Sequence, residues 1–328
     1  MKLLFFTDTH IRATNPRNRL DNFYESILTK LEEIKDYANS EKVDYVIHGG
    51  DLFDRPDSAI KSTGEVGKIL ANFNMPIFIV AGNHDIFGYN KGTLNRSMLG
   101  LLDNLSILRL IPDGGIELSD DDTKILLLGK DYSSDLDLDK SNYIVKKDEL
   151  KTDADYIINI VHGFLTDRPF IKHVPHILVG EILDTDADIT LSGHYHTGYP
   201  TQIHGGKYFS NPGSMVRITN SIAEINRKPK FLVINIDKKG ITVEDRYLKS
   251  AKLGEDVLDR KTLVESQFKE ERLTIFSDSI YQNVDLDVMD LESILNSIAQ
   301  NEGFDIKVRN EAKERLDRAK GIVNDSDK

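Results

Sequence analysis

Cysteine is absent from this chain of 328 residues, which excludes a disulfide framework and any thiolate metal site and agrees with a reducing compartment. Long apolar runs are also missing. None approaches the roughly 20 residues of a membrane-spanning helix, and Leu3 to Phe6 is too short for a signal-peptide core, so we expect a cytoplasmic protein with no membrane attachment. Basic charge is scarce: 42 Lys and Arg against 54 Asp and Glu leave a net −12, which argues against a broad basic face for nucleic acid but not against a local one. No Gly-rich loop ending in Gly-Lys-Ser/Thr is present, so the chain has no phosphate loop of the ATPase type. What remains is globular, with 39% hydrophobic and 29% charged residues and no internal repeat.

The length suits one large domain and a smaller one, since single cores rarely grow past about 250 to 300 residues. We expect residues 1–248 to form the first and 249–328 to form a small, acidic, mainly helical region. Residues 251–328 carry 12 basic against 18 acidic side chains, half the net charge on about a quarter of the chain.

Apolar runs punctuated by polar clusters set out the first domain. Lys2 to Thr7 reads as a strand running into Asp8-Thr9-His10, and a helical pattern follows from about Leu20 to Tyr37. Val43 to Ile47 is a second strand, leading into Gly49-Gly50-Asp51-Leu52-Phe53-Asp54. A helical pattern over Ala59 to Phe73 precedes a third strand, Pro76 to Val80, which ends in Ala81-Gly82-Asn83-His84-Asp85. Strand and helix in alternation predict a largely parallel α/β sheet, with ligands bound beyond the carboxyl ends of its strands. Further on, Leu105 to Ile111, Lys124 to Leu128, Tyr156 to Val161, Ile189 to Leu191, Tyr208 to Ser210 and Phe231 to Ile236 read as strands with little helix between them, predicting a second sheet packed on the first. Two of them deliver His162-Gly163 and Ser192-Gly193-His194-Tyr195-His196.

Together these strand ends offer seven nitrogen and oxygen ligands: Asp8, His10, Asp51, Asn83, His162, His194 and His196. Seven ligands with one shared suit two ions of the kind that clamp the attacking and leaving oxygens of phosphoryl transfer, and Asp51 is the best candidate for the shared carboxylate. Imidazole beside carboxylate and amide oxygen favours Mn²⁺, Fe²⁺ or Zn²⁺ over Mg²⁺ or Ca²⁺. Two dications against two carboxylates leave positive charge for a phosphate. His84, next to a ligand but free itself, is the candidate acid for the departing oxygen, with Asp85 either orienting it or capping a helix. Any one of these histidines alone is more often structural, but five of the nine fall at strand-end motifs. His48, His173, His176 and His204 lack that context.

Asp8-x-His10, Gly50-Asp51, Gly82-Asn83-His84-Asp85, His162-Gly163 and Gly193-His194-x-His196 resemble the five signatures of the calcineurin-like metallophosphoesterases. The resemblance covers roughly residues 1–240. It implies an α/β fold, a β-sandwich of two mixed sheets flanked by helices, and two ions, usually manganese, iron or zinc. It further implies one ion on Asp8, His10 and His196, the other on Asn83, His162 and His194, Asp51 between them, and His84 as the acid. Within that superfamily, Gly49-Gly50-Asp51-Leu52-Phe53 and Asn211-Pro212-Gly213-Ser214-Met215-Val216-Arg217 resemble the SbcD/Mre-type DNA-end nucleases. Arg217, and Arg12 on the first loop, are then expected at DNA phosphates. The same resemblance implies DNA as substrate, a homodimer, and a partner ATPase of the coiled-coil SbcC/Rad type.

A phosphodiesterase or phosphatase for small nucleotides or phosphoproteins is the rival reading, favoured by the acidic charge; a non-catalytic scaffold for an ATPase is a third. The tail departs from the larger relatives in being short and acidic. It carries two amphipathic patterns, Val288 to Ile298 and Ala312 to Val323, the second a candidate partner helix.

Overall fold

The computed structural model describes residues 1–171 and 174–259, all within one compact unit, Met1–Val264. His173 and both amphipathic tail patterns lie outside the described residues. The described elements, in chain order, are β1 (Lys2–Phe6), α1 (Phe23–Ser40), β2 (Tyr45–His48), α2 (Ile60–Leu70), β3 (Ile77–Ile79), α3 (Met98–Asn104), β4 (Arg109–Leu110), β5 (Ile116–Ser119), β6 (Lys124–Lys130), β7 (Tyr156–Val161), β8 (Leu165–Thr166), β9 (Ile177–Leu178), β10 (Ile189–Ser192), β11 (Tyr199–His204), β12 (Lys207–Asn211), α4 (Ile222–Asn226), β13 (Lys230–Asp237), β14 (Gly240–Tyr247) and α5 (Gly254–Val257), with short 3-10 turns between some of them.

Two six-stranded sheets form the body, in the orders β14-β13-β1-β2-β3-β4 and β11-β12-β10-β7-β6-β5. β1 to β4 run parallel, and so do β6, β7, β10 and β12, while β13, β14, β5 and β11 pair antiparallel at the flanks. Side-chain alternation explains the layering. Leu3 and Phe5 of β1 point to the inter-sheet core with Ile47, Phe78, Ile158 and Leu191. Leu4 and Phe6 point the other way and pack on Ile27, Leu31 and Ile34 of α1 and Val66 of α2. Both faces of these central strands are covered, which is why their sequences are continuously apolar rather than alternating.

The strand expected over Leu105 to Ile111 forms only at Arg109–Leu110. Ser97 caps α3 by accepting from the Gly100 amide, and Ser106 turns the chain with φ 57°. β14 is a strand the sequence reading passed over, its face being mostly exposed and polar. Beyond residue 248 the described chain folds back onto the same unit: the Leu20 amide donates to the Val257 carbonyl (3.0 Å) and that of Asp259 to Asn18 (2.9 Å).

The buried face of α1 contains a lysine. Lys30 is 2% exposed among Phe23, Ile27, Leu31 and Ile34. Burial, and then the charges of Arg19, Arg217 and Arg227, push its pKa down to about 7 against the pull of Asp21. The folded value lies below the unfolded one, so the unfolded chain holds more protons between pH 7 and 10, and this residue makes stability rise with pH across that window. Lys30→Met should remove a slope of up to about 1.4 kcal/mol per pH unit and raise stability at pH 7. Urea unfolding of both proteins at several pH values measures it; parallel pH profiles would contradict the assignment.

Candidate metal centre

All seven expected ligands stand at or beyond the carboxyl ends of parallel strands. Asp8 and His10 follow β1, Asp51 follows β2, and Asn83 and His84 follow β3. From the other sheet His162 follows directly on β7, and His194 and His196 leave the turn after β10. The inter-sheet core brings these five strand ends to one rim.

The loops are bent to aim their side chains. Asp8, His10, Asp51 and His194 have φ of 53°, 45°, 54° and 68°, in the left-handed region that non-glycine residues rarely adopt and that clusters at functional sites. Cross-loop hydrogen bonds hold them there: the Asp8 amide donates to Gly50 O (3.1 Å) and the His10 amide to Asp51 O (3.0 Å). Glycine is required where the loops touch. A Cβ on Gly50, itself at φ 97°, would overlap the His162 ring, and one on Gly82 would overlap the Asp51 carboxylate.

Asp51 lies at the centre. One oxygen, Oδ1, accepts from the His84 amide at 2.8 Å. The other, Oδ2, is buried without a hydrogen-bond partner among the described residues, 3.6 Å from His10 Nε2 and 3.4 Å from His162 Nε2. Asp51 thereby belongs to two clusters of ligand atoms, Asp8-His10-Asp51-His196 and Asp51-His162-His194, each with its atoms within 4.8 Å of one another. Asn83 Oδ1 adds an oxygen 3.3 Å from His162 Nε2. An orphaned buried carboxylate oxygen between two clusters of imidazole and carboxylate is what a shared ligand for two divalent ions requires, so the residues fit such a pair.

Neighbouring groups orient the imidazoles. His162 Nδ1 meets the Gly49 carbonyl at 2.7 Å and must donate to it, which turns Nε2 toward Asp51. His10 and His196 face each other through their Nε2 atoms at 2.9 Å. Burial alone would raise the Asp8 pKa, but hydrogen bonds from His10 and His196 and the charges of His196 and His162 hold it well below the carboxylate range. Asp51 is depressed likewise, chiefly by His162, against the same penalty of burial. Burial and the neighbouring His162 charge push His194 down to about 3. Both carboxylates are thus ionised at neutral pH. Ser214 supports the first loop, its Oγ donating to Asp8 O (2.7 Å) and its amide to His196 O (2.9 Å).

His84 reaches the rim with Nδ1 at 2.9 Å from the Asp54 carbonyl, so Nδ1 carries a proton and Nε2 is left for substrate. Its ring stands edge-on to His10, centroids 4.9 Å apart. Asp85 neither orients it nor caps a helix. Fully buried, Asp85 accepts from the amides of Gly82 (3.0 Å), Phe53 (3.1 Å) and Leu52 (3.3 Å), tying the second and third loops together. Burial and the adjacent Asp51 raise its pKa to about 7.

Arg217 is the second departure. It is 3% exposed, and its guanidinium donates to the carbonyls of Arg227 (2.6 and 3.2 Å) and Lys252 (2.9 Å) instead of reaching the surface. Chain order places Arg217 after an exposed-looking turn, and only the fold shows that its side chain points inward. Arg217→Ala strands these carbonyls and should destabilise by about 2 to 4 kcal/mol, lowering DNA and small-ester cleavage together. Thermal melts beside the two assays check this; selective loss of DNA cleavage at unchanged stability would restore the phosphate role. Arg12 stays at the rim, paired with Asp54 at 3.1 Å and bonded to Thr14. Asp54, three residues past Asp51 and outside the seven candidate ligands, joins the rim by meeting Arg12 and, at 3.9 Å, His10 Nδ1. His48, buried against Thr9 Oγ1 (2.8 Å) and the Gly50 amide (3.1 Å), is structural as expected.

Two packed mixed sheets with a two-cluster site on one rim define a metallophosphoesterase architecture, and the model of the family "Calcineurin-like phosphoesterase" matches residues 1–198: this chain belongs to that family. Among curated proteins it is similar to the "DNA double-strand break repair protein Mre11" of Methanococcus maripaludis, 28% identical over 65% of this chain and 57% of that one. It is also similar to the Mre11 of Sulfolobus acidocaldarius, 26% identical over 75% and 60%. The chain therefore spans less than two thirds of the length of these relatives. A dimetal phosphatase from Danio rerio aligns over 75% of this chain and 96% of its own, with TM-score 0.48 and 12% identity.

Proposed function

We propose that this chain is a two-metal phosphodiesterase that hydrolyses DNA, an exo- and endonuclease subunit of an SbcCD-like repair and recombination complex working inside the cell. The observation that carries the metal chemistry is Asp51 Oδ2, buried, unpartnered and common to both ligand clusters. The DNA assignment is supported by the similarity to Mre11 proteins. Asp8, His10 and His196 would hold one ion and Asn83, His162 and His194 the other, with Asp51 shared; Mn²⁺ is our choice for both. When bound, such ions supply an activated water and charge for the phosphoryl oxygens. His84, protonated on both ring nitrogens, would give its Nε2 proton to the departing oxygen and keep the Nδ1 proton that it donates to the Asp54 carbonyl, while Arg12 at the rim takes a flanking phosphate.

A partner ATPase of the SbcC/Rad type belongs to this reading, and so does a homodimer. Supporting the dimer, α2 and α3 share an almost wholly apolar groove of about 510 Å³ lined by Ile60, Met98, Leu101 and Leu105; of these Ile60, Leu101 and Leu105 are 83%, 45% and 60% exposed. Light scattering at micromolar concentration should give twice the monomer mass, and a monomer would remove the dimer from the account. No helix among the described residues is long and apolar enough to cross a membrane.

The test is Mn²⁺-dependent cleavage of a linear DNA duplex and of bis-p-nitrophenyl phosphate side by side, with Asp51→Ala as control. Both should be cut, and neither by the control. Hydrolysis of the small ester alone, unchanged on adding the ATPase, would favour the rival reading, a phosphodiesterase or phosphatase for small nucleotides or phosphoproteins, which the net charge of −12 and the burial of Arg217 already support.

A further inference from the structure

Around the Asp51-His162-His194 side of the site runs an unbroken series of aromatic rings. Tyr132 lies against His194, centroids 5.5 Å apart, and against His162 at 6.4 Å. Phe164 stands edge-on to the same His194 at 5.4 Å. Tyr89 extends the series from Tyr132 at 5.6 Å, and Phe170 extends it from Phe164 at 5.0 Å. The outer two are open to solvent, Tyr89 at 58% and Phe170 at 37% exposed, while the inner two are half-buried.

Two features separate this from ordinary surface aromatics. Tyr89 has φ 57° directly after Gly88 at φ 56°, so the backbone is held in a strained conformation that presents a large ring outward. The chain as a whole is also acidic, with a net charge of −12, so its overall field does not draw nucleic acid, and contacts to bases would add to what local phosphate contacts such as Arg12 supply. Base stacking on aromatic rings supplies about 1 to 3 kcal/mol per base without needing charge or sequence.

We propose that Tyr89, Tyr132, Phe164 and Phe170 form a stacking platform for unpaired nucleobases flanking the scissile phosphate, so that the substrate is a single strand or a frayed duplex end. This rests on the phosphodiesterase reading above and narrows its substrate. Bases paired within a duplex hide their faces and cannot use the platform; a strand whose terminal bases are splayed can.

The experiment uses the full chain and a DNA hairpin with an unpaired 3′ end carrying 2-aminopurine, bound in Ca²⁺, beside the same hairpin with abasic residues in that end. Wild type should quench the 2-aminopurine fluorescence on binding. Tyr89→Ala and Phe170→Ala should restore it and weaken binding by about 5- to 150-fold, with Tyr89→Phe behaving as wild type. On the abasic hairpin the alanine variants and wild type should bind alike. If wild type cuts DNA in Mn²⁺ but leaves 2-aminopurine bright, or if the variants weaken both hairpins equally, the platform is wrong and the nuclease reading stands. If wild type cuts no DNA in Mn²⁺, the nuclease reading fails and takes this inference with it.

Discussion

Asp51→Asn should leave a folded protein that binds fewer than two metal ions and hydrolyses phosphodiesters about 10³-fold more slowly or worse, the equivalent of several kcal/mol of lost charge stabilisation. The substitution is chosen to isolate the shared ligand. Asparagine keeps the shape and can still accept the His84 amide through Oδ1, the bond that Asp51 makes at 2.8 Å. What it loses is the negative charge and the acceptor at Oδ2, the atom with no hydrogen-bond partner among the described residues. Both clusters draw on that residue, so both should weaken together, whereas loss of Asp8 or His194 would strike one cluster alone. Metal analysis after gel filtration reads the stoichiometry, and an unaltered melting profile shows that the fold persists. Full metal content in the variant would mean that the two clusters do not share this carboxylate.

The second large effect is at His84, and it should depend on the leaving group. A DNA strand departs as an alkoxide that needs a proton, and general acid catalysis contributes about 10²- to 10⁴-fold. p-Nitrophenolate departs without one. His84→Ala should therefore lose cleavage of DNA by that factor while keeping most hydrolysis of bis-p-nitrophenyl phosphate and its full metal content. The geometry supports this separation: the His84 ring is anchored through Nδ1 to the Asp54 carbonyl, and the one hydrogen bond of His84 to a candidate ligand, to Asp51 Oδ1, comes from its backbone amide, which alanine keeps. Equal losses on both esters would assign His84 to binding or to the metal site instead of to proton transfer.

Much of this candidate site is legible in the chain because each candidate ligand follows an apolar strand. Hydrophobic runs such as Leu3 to Phe6, and Ile157 to Val161 with Asn159 as its one polar residue, mark strands buried on both faces, and the polar residues directly after them fall on one rim of the sheets. The rest depended on direction, which sequence order does not encode. Asp85 sits in the same motif as Asn83 and His84, yet its side chain turns inward to three backbone amides. Arg217 ends a turn that packs against the Asp8 loop, and its guanidinium is drawn to interior carbonyls. The aromatic rim is assembled from residues as far apart as Tyr89 and Phe170, so no local pattern announces it. Strand β14 and the shortness of β4 were missed for a different reason: edge strands are half-exposed, and pairing rather than hydrophobicity defines them.

The measurement closest to the central claim is electron paramagnetic resonance of the protein loaded with Mn²⁺, because two ions sharing the Asp51 carboxylate would be magnetically coupled. Wild type should give the spectrum of a coupled pair at saturation, and Asp51→Asn only that of isolated Mn²⁺. A wild-type protein that saturates with the signal of isolated ions would contradict the claim.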